Sequence, residues 1–81
     1  IIMVRVKPNR LEDLEEFIRN RGEILMAYAI TGIYDVCLIG VFRDEKHYLR
    51  FVNDLYATEC VMETTTFVIV KKIRETLELP I

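Results

Sequence analysis

The chain has 81 residues, 52% of them hydrophobic and 30% charged, and a net charge of −2. That length makes one domain spanning residues 1–81, and so small a domain buries only roughly 60 to 65 per cent of its unfolded surface, so a partner is expected. No segment approaches the roughly twenty apolar residues of a bilayer span, no basic-then-apolar leader opens the chain, and the mixed charges form no basic stripe, so we expect a soluble, cytoplasmic protein with no membrane contact and no direct grip on nucleic acid.

Residues 1–6 form a short apolar run, broken by Lys7-Pro8-Asn9, which predicts a first strand and its exit. Asn9 stands three residues before Glu12, the spacing of a reciprocal helix cap. Leu11, Leu14, Phe17 and Ile18 then follow at helical spacing with acids opposite, and Gly22 is the expected stop. Two runs rich in β-branched and aromatic residues, 24–31 and 34–42, predict a hairpin, with Gly32 supplying a positive φ in the turn. Asp35 lies just inside the second run, where propensity disfavours an acid. It therefore either hydrogen-bonds the turn or meets a ligand. Asp44 can cap a second helix whose apolar stripe is Tyr48, Leu49, Phe51, Val52, Leu55 and Tyr56. Residues 62–73 return to a β pattern, and the tail from Arg74 to Ile81 is mixed.

The order strand, helix, strand, strand, helix, strand predicts an α+β, ferredoxin-like fold: a four-stranded antiparallel sheet with two helices on one face. Alternation then sorts the strands. Ile24, Met26, Tyr28 and Ile30 oppose Leu25, Ala27 and Ala29; Val36 and Leu38 oppose Cys37, Ile39 and Val41; Val68 and Val70 oppose Phe67 and Ile69. Both faces are apolar, although the helices cover only one. Leaving roughly six to eight such side chains wet would forfeit on the order of 10 kcal/mol, so a second copy is the expected cover, giving a homodimer packed sheet to sheet, a dimeric α+β barrel.

Little points to catalysis or metal binding. Cys37 and Cys60 form no CxxC and are read as reduced, packed thiols. His47, alone of its kind, reads as a solvated residue in the first turn of the second helix. The chain has no serine, glutamine or tryptophan and plentiful Glu, Lys and Arg, a bias of proteins from hot environments.

Three features in order, Gly32-x-Tyr34-Asp35, then Val61-x-x-Thr64-x-Thr66 leading into Phe67-Val68-Ile69-Val70-Lys71, then Leu79-Pro80-Ile81, resemble the RAM (regulation of amino acid metabolism) domain of Lrp/AsnC transcriptional regulators over essentially the whole chain. The resemblance implies an amino-acid sensor without catalytic residues, cofactor or metal. It further implies dimers joined into closed assemblies of tetramer to octamer size, with an amino acid held between neighbouring dimers. Carried to this sequence, Thr31, Gly32, Ile33 and Tyr34 offer backbone groups, Asp35 accepts from the α-ammonium or anchors the turn, Thr64 and Thr66 offer hydroxyls, and Tyr28 with Tyr34 forms walls. The family's helix-turn-helix domain has no counterpart here, so the chain is either a free-standing sensor or a fragment, and a free-standing sensor would act by joining full-length Lrp/AsnC relatives.

Two rival readings stand beside this one: a purely structural oligomerisation module, and a small dimeric α+β barrel enzyme, for which neither a serine nucleophile nor a cysteine with an adjacent base is available. The composition yields a first expected outcome. Analytical ultracentrifugation at micromolar concentration should show a dimer or larger species, and a folded monomer would contradict the reading.

Overall fold

A computed structural model describes residues 1–75. Six elements follow in the expected order: β1 (Ile2–Val6), α1 (Leu11–Arg19), β2 (Ile24–Ala29), β3 (Val36–Gly40), α2 (Glu45–Ala57) and β4 (Val61–Thr66). The strands form one antiparallel sheet in the order β2-β3-β1-β4, the ferredoxin-like arrangement. Alternate residues of the central strands, Ile2 and Val4 of β1 and Val36 and Leu38 of β3, point to one face. There they close with Leu14 of α1, Phe51 and Leu55 of α2, Cys60 and Val61 into the core. Both helices therefore lie on that face, as hydrophobic alternation demanded.

Several local expectations hold. Asp44 caps α2, its carboxylate accepting from the His47 N–H at 2.8 Å, and Gly32 takes φ +115°. Both cysteines are free, Cys60 buried and Cys37 half-buried.

Four expectations are corrected. Asn9 does not cap α1: it adopts φ 63° in the turn leaving β1, and Arg10 occupies the cap position without a side-chain cap bond. The sharp reversal after Pro8 needs a left-handed residue, which asparagine tolerates. The helix ends at Arg19, before Gly22, with Asn20 as its C-cap. In β2, the pairing shifts between Ile24 and Met26, so Leu25 is an extra bulged residue. The parity changes there: Ala27 and Ala29, opposite Leu38 and Val36, face the helices, while Met26 and Tyr28, opposite Ile39 and Cys37, face away. Finally, β4 stops at Thr66 rather than running to residue 73. Phe67 still exchanges two bonds of 2.7 Å with Ile1, after which residues 68–75 carry no strand pairing. The motif Leu79-Pro80-Ile81 lies outside the described residues.

The face turned away from the helices carries Met3, Cys37, Ile39, Met26, Tyr28, Thr65 and Phe67, together with the exposed pair Arg5 and Glu63, 3.4 Å apart. Tyr28 and Phe67 are 53% and 55% exposed. No helix or further strand among the described residues covers this face.

Phe51 is the largest fully buried side chain, and its ring stacks at a tilt against Phe17 of α1 and against Phe42. Truncating it to alanine should cost about 3 to 5 kcal/mol. Equilibrium urea unfolding of Phe51→Ala would show this as a lower midpoint, and an unchanged midpoint would contradict the packing.

Candidate functional site

The β2–β3 loop is held at both ends. The Ile30 N–H donates to the Asp35 carbonyl at 2.9 Å, and the Asp35 N–H donates to the Val4 carbonyl at 2.9 Å. The Asp35 carboxylate then accepts the Val6 N–H on Oδ2 at 2.8 Å. Its other oxygen has no partner among the described residues. So the acid that propensity disfavoured secures the loop to β1 rather than bonding its own turn. Tyr34, the next residue back, reaches past β1 to the Thr65 hydroxyl on β4 at 2.6 Å.

Between these fixed ends, Thr31, Gly32 and Ile33 are exposed, Ile33 at 81%. Their amides make no hydrogen bond among the described residues. Backbone N–H groups without a partner are the donors that a carboxylate ligand would need.

Thr64 and Thr66 share one face of β4, as expected, and it is the helix side. Their hydroxyls meet those of Tyr56 at 3.2 Å and Tyr48 at 2.6 Å, both on α2. Tyr28 lies on the opposite face of edge strand β2, its hydroxyl 3.4 Å from Met26 Sδ. Within one chain, then, the expected site residues fall into three places: the loop 31–35, the threonine pair under α2, and Tyr28 on the open face. A cleft of about 380 Å³ between α1 and β2 includes Tyr28 in its lining, and a hollow of about 670 Å³ beside the start of α2 includes Thr66. Residues 31–35 line neither.

Sequence reasoning missed Thr65, Tyr48 and Tyr56. Period-2 alternation does separate Thr65 from its neighbours, and tyrosines eight apart share a helix face, so the signal was present. It also missed the polar network at the far end of the sheet. Arg21 forks onto Glu23 with bonds of 3.1 and 2.9 Å and reaches Asp54 at 2.8 Å, with its guanidinium 5.3 and 5.1 Å from the ring centres of Phe17 and Phe51. Glu23 also meets His47 Nε2 at 3.1 Å, while His47 Nδ1 accepts the Arg43 N–H at 3.1 Å. His47 is thus not the solvated residue expected: its side chain is only 16% exposed. Nδ1 accepts, which leaves Nε2 to donate to the carboxylate. Among the described residues no three His, Cys, Asp or Glu side chains converge to hold a metal ion, and no helix is long and apolar enough to cross a membrane.

Arg21's hydrogen bonds, with smaller help from the Glu23 backbone and His47, pull the Glu23 carboxyl down from 4.5 to about 2. The bonds to Glu23 and Asp54 raise Arg21 correspondingly.

Comparison with known proteins gives a consistent picture. The family model described as the Lrp/AsnC ligand binding domain matches residues 1–79. An uncharacterised HTH-type transcriptional regulator of Pyrococcus horikoshii is 27% identical over 79 residues, which are 98% of this chain and 53% of that protein. The crystal structure of a transcriptional regulator in complex with L-Met, from Neisseria meningitidis, superposes with a TM-score of 0.90 at 29% identity, over 98% of this chain and 53% of its own. A Thermus thermophilus protein shares the fold with a TM-score of 0.80 at 23% identity, over 91% of this chain and 94% of its own. The chain spans about half the length of the curated relatives it matches.

The lowered Glu23 carboxyl sets a pH dependence. Its contribution is complete above pH 4.5, where the unfolded-state group is ionised, and is lost as pH falls through about 2. At neutral pH, Glu23→Gln should therefore lower stability by about 1 to 2 kcal/mol. That deficit should shrink between pH 4.5 and 2 in urea titrations; a deficit independent of pH would refute the role.

Proposed function

The chain belongs to the Lrp/AsnC ligand-binding domain family, and from that premise we propose that it binds a free α-amino acid as effector and couples that binding to the assembly of its copies. One observation carries this reading: a loop locked to β1 by Asp35 that still presents three amides without a partner among the described residues.

A zwitterion needs both charges paired once water leaves. The amides of Thr31, Gly32 and Ile33 suit the α-carboxylate, and the unpartnered oxygen of Asp35 suits the α-ammonium. Tyr34 is held rigid by Thr65 and serves as a wall. The hydroxyls of Thr64 and Thr66 lie on the other face of the sheet from Thr65, bonded to Tyr56 and Tyr48, whereas the exposed ring of Tyr28 shares the open face with Thr65. A site divided in this way explains why residues 31–35 line neither cavity described above. Copies stack through the uncovered sheet face, as its apolar surface favours, and the loop of one copy then meets its remaining ligand contacts on a neighbouring copy. L-Met is the first effector to test, because the Neisseria meningitidis relative is a complex with it.

In this reading the output is transcriptional, exerted through helix-turn-helix regions such as those of the relatives. No catalytic role is assigned. His47, engaged by Arg43 and Glu23, is not placed to act as a general base.

Thermal shifts against the twenty common amino acids test the reading. An effector at about a hundred times its dissociation constant adds roughly 2.7 kcal/mol, which for a domain of this size is about 10 °C or more. A flat panel would instead favour the oligomerisation module. Asp35→Ala also strips Val6 of its acceptor, so Asp35→Asn, which keeps an acceptor oxygen and removes the charge, is the cleaner variant. It should weaken calorimetric affinity at least about tenfold, the equivalent of 1.4 kcal/mol, with the melting temperature near wild type. An unchanged affinity would reject Asp35 as a ligand group.

A further inference from the structure

We propose that His47 is a proton-operated latch on the first turn of α2: as a neutral ring it ties down the loop before the helix, and on taking a second proton it releases that loop while tightening on Glu23. This device stands apart from the amino-acid reading and needs no effector.

The start of α2 is built around this residue. Asp44 accepts the His47 N–H at 2.8 Å, and the His47 ring in turn accepts the Arg43 N–H on Nδ1 at 3.1 Å. Reciprocal caps of this kind ordinarily use glutamate or glutamine at the third helical position. Here the accepting group titrates. Histidine is the side chain whose ordinary change of charge falls between about pH 5 and 8.

The two ring nitrogens respond differently to the added proton. Nε2 already donates to Glu23 at 3.1 Å, and a charged ring makes that bond charge-assisted and stronger. Glu23 is ionised throughout the range, because the hydrogen bonds from Arg21 hold its carboxyl at about 2. Nδ1 is the nitrogen that must take the proton. It then faces the Arg43 N–H, donor against donor, and one of the two has to turn away.

Packing decides which. The His47 side chain is only 16% exposed, its ring sits edge-on to Phe42 with centroids 5.3 Å apart, and its own N–H is held by Asp44. Glu23 is fixed in turn by the fork from Arg21, which also reaches Asp54 of α2 at 2.8 Å. Arg43, by contrast, is exposed, and among the described residues its N–H is bonded to Nδ1 alone. The Arg43 peptide is therefore the part that yields. The other charged residues within one turn of His47 on α2, Glu45, Lys46 and Arg50, are exposed to water, where their fields are screened.

Because the tie to Glu23 strengthens as the tie to Arg43 is lost, the fold survives the exchange and the change stays local. Phe42, Asp44 and Glu45, which flank or follow Arg43, line the hollow of about 670 Å³ beside the start of α2. Acid thus loosens one wall of that hollow while the turn after α1 keeps its hold on α2.

Nitrogen-15 NMR on the ligand-free protein tests this, and the single histidine of the chain makes its signals unambiguous. At about pH 8 the ring should be in its Nε2–H form, and the Arg43 amide nitrogen should share a scalar coupling with Nδ1 across their hydrogen bond. By about pH 5 the ring should be charged, the coupling lost, and the Arg43 amide signal moved in step with the ring. His47→Gln retains an acceptor oxygen and a donor amide but cannot titrate, so its Arg43 amide signal should stay in place over the same range. A ring that remains neutral to about pH 5, a coupling that survives ring protonation, or an Arg43 shift that persists in His47→Gln would each overturn the proposal. So would the absence of the coupling at about pH 8.

Discussion

A four-stranded sheet apolar on both faces, with helices available for only one, governs the rest of this molecule. The alternation that sends Ile2, Val4, Val36 and Leu38 under the helices sends Met3, Cys37 and Ile39 to the other side. Among the described residues no third layer hides them. At roughly 25 cal/mol per Å² of apolar surface, the uncovered face is worth a large part of a small domain's net stability. Association of copies is the economical response.

The element order was legible because each element carries its own local signal: helical spacing in α1 and α2, β-branched runs in the strands, glycine at the hairpin, aspartate before α2. Those signals act within about ten residues. What escaped the reading depends on partners further off. The bulge at Leu25 is a count of β2 against β3, and no property of Leu25 itself announces it; yet it reverses which side of β2 the alanines face. The early end of β4 has the same origin, since residues 68–73 have every propensity of a strand and lack only a neighbour. His47 looked solvated because the acid that holds it, Glu23, is 24 residues away.

The candidate site shows the same division. Gly32 and Asp35 were identifiable from residue type and position, and the positive φ and the locked loop agree with that. The role of Asp35 toward the protein was only half visible. Its carboxylate is committed to the Val6 amide, a partner on another strand, so one oxygen does structural duty and one remains. The threonines divide by alternation, Thr65 to Tyr34 and its neighbours to α2. A run of three identical residues thereby serves two faces of the sheet.

That separation has a thermodynamic consequence for the proposed sensor. In that proposal a zwitterion that meets the loop amides of one copy and polar groups of a second binds only where two copies are in contact. Affinity for the ligand and affinity between copies are then the same free energy viewed from two sides, and each must change the other by an equal factor. The magnitude of that coupling is set by the polar contacts the ligand makes across the junction, at about 1 to 3 kcal/mol for the charge-assisted ones. Such a sum is enough to shift assembly tenfold or more. A domain that left part of its apolar sheet uncovered would thus gain from that exposure a means of reporting metabolite concentration as oligomeric state, with the stacked sheets supplying standing affinity and the loop supplying the increment.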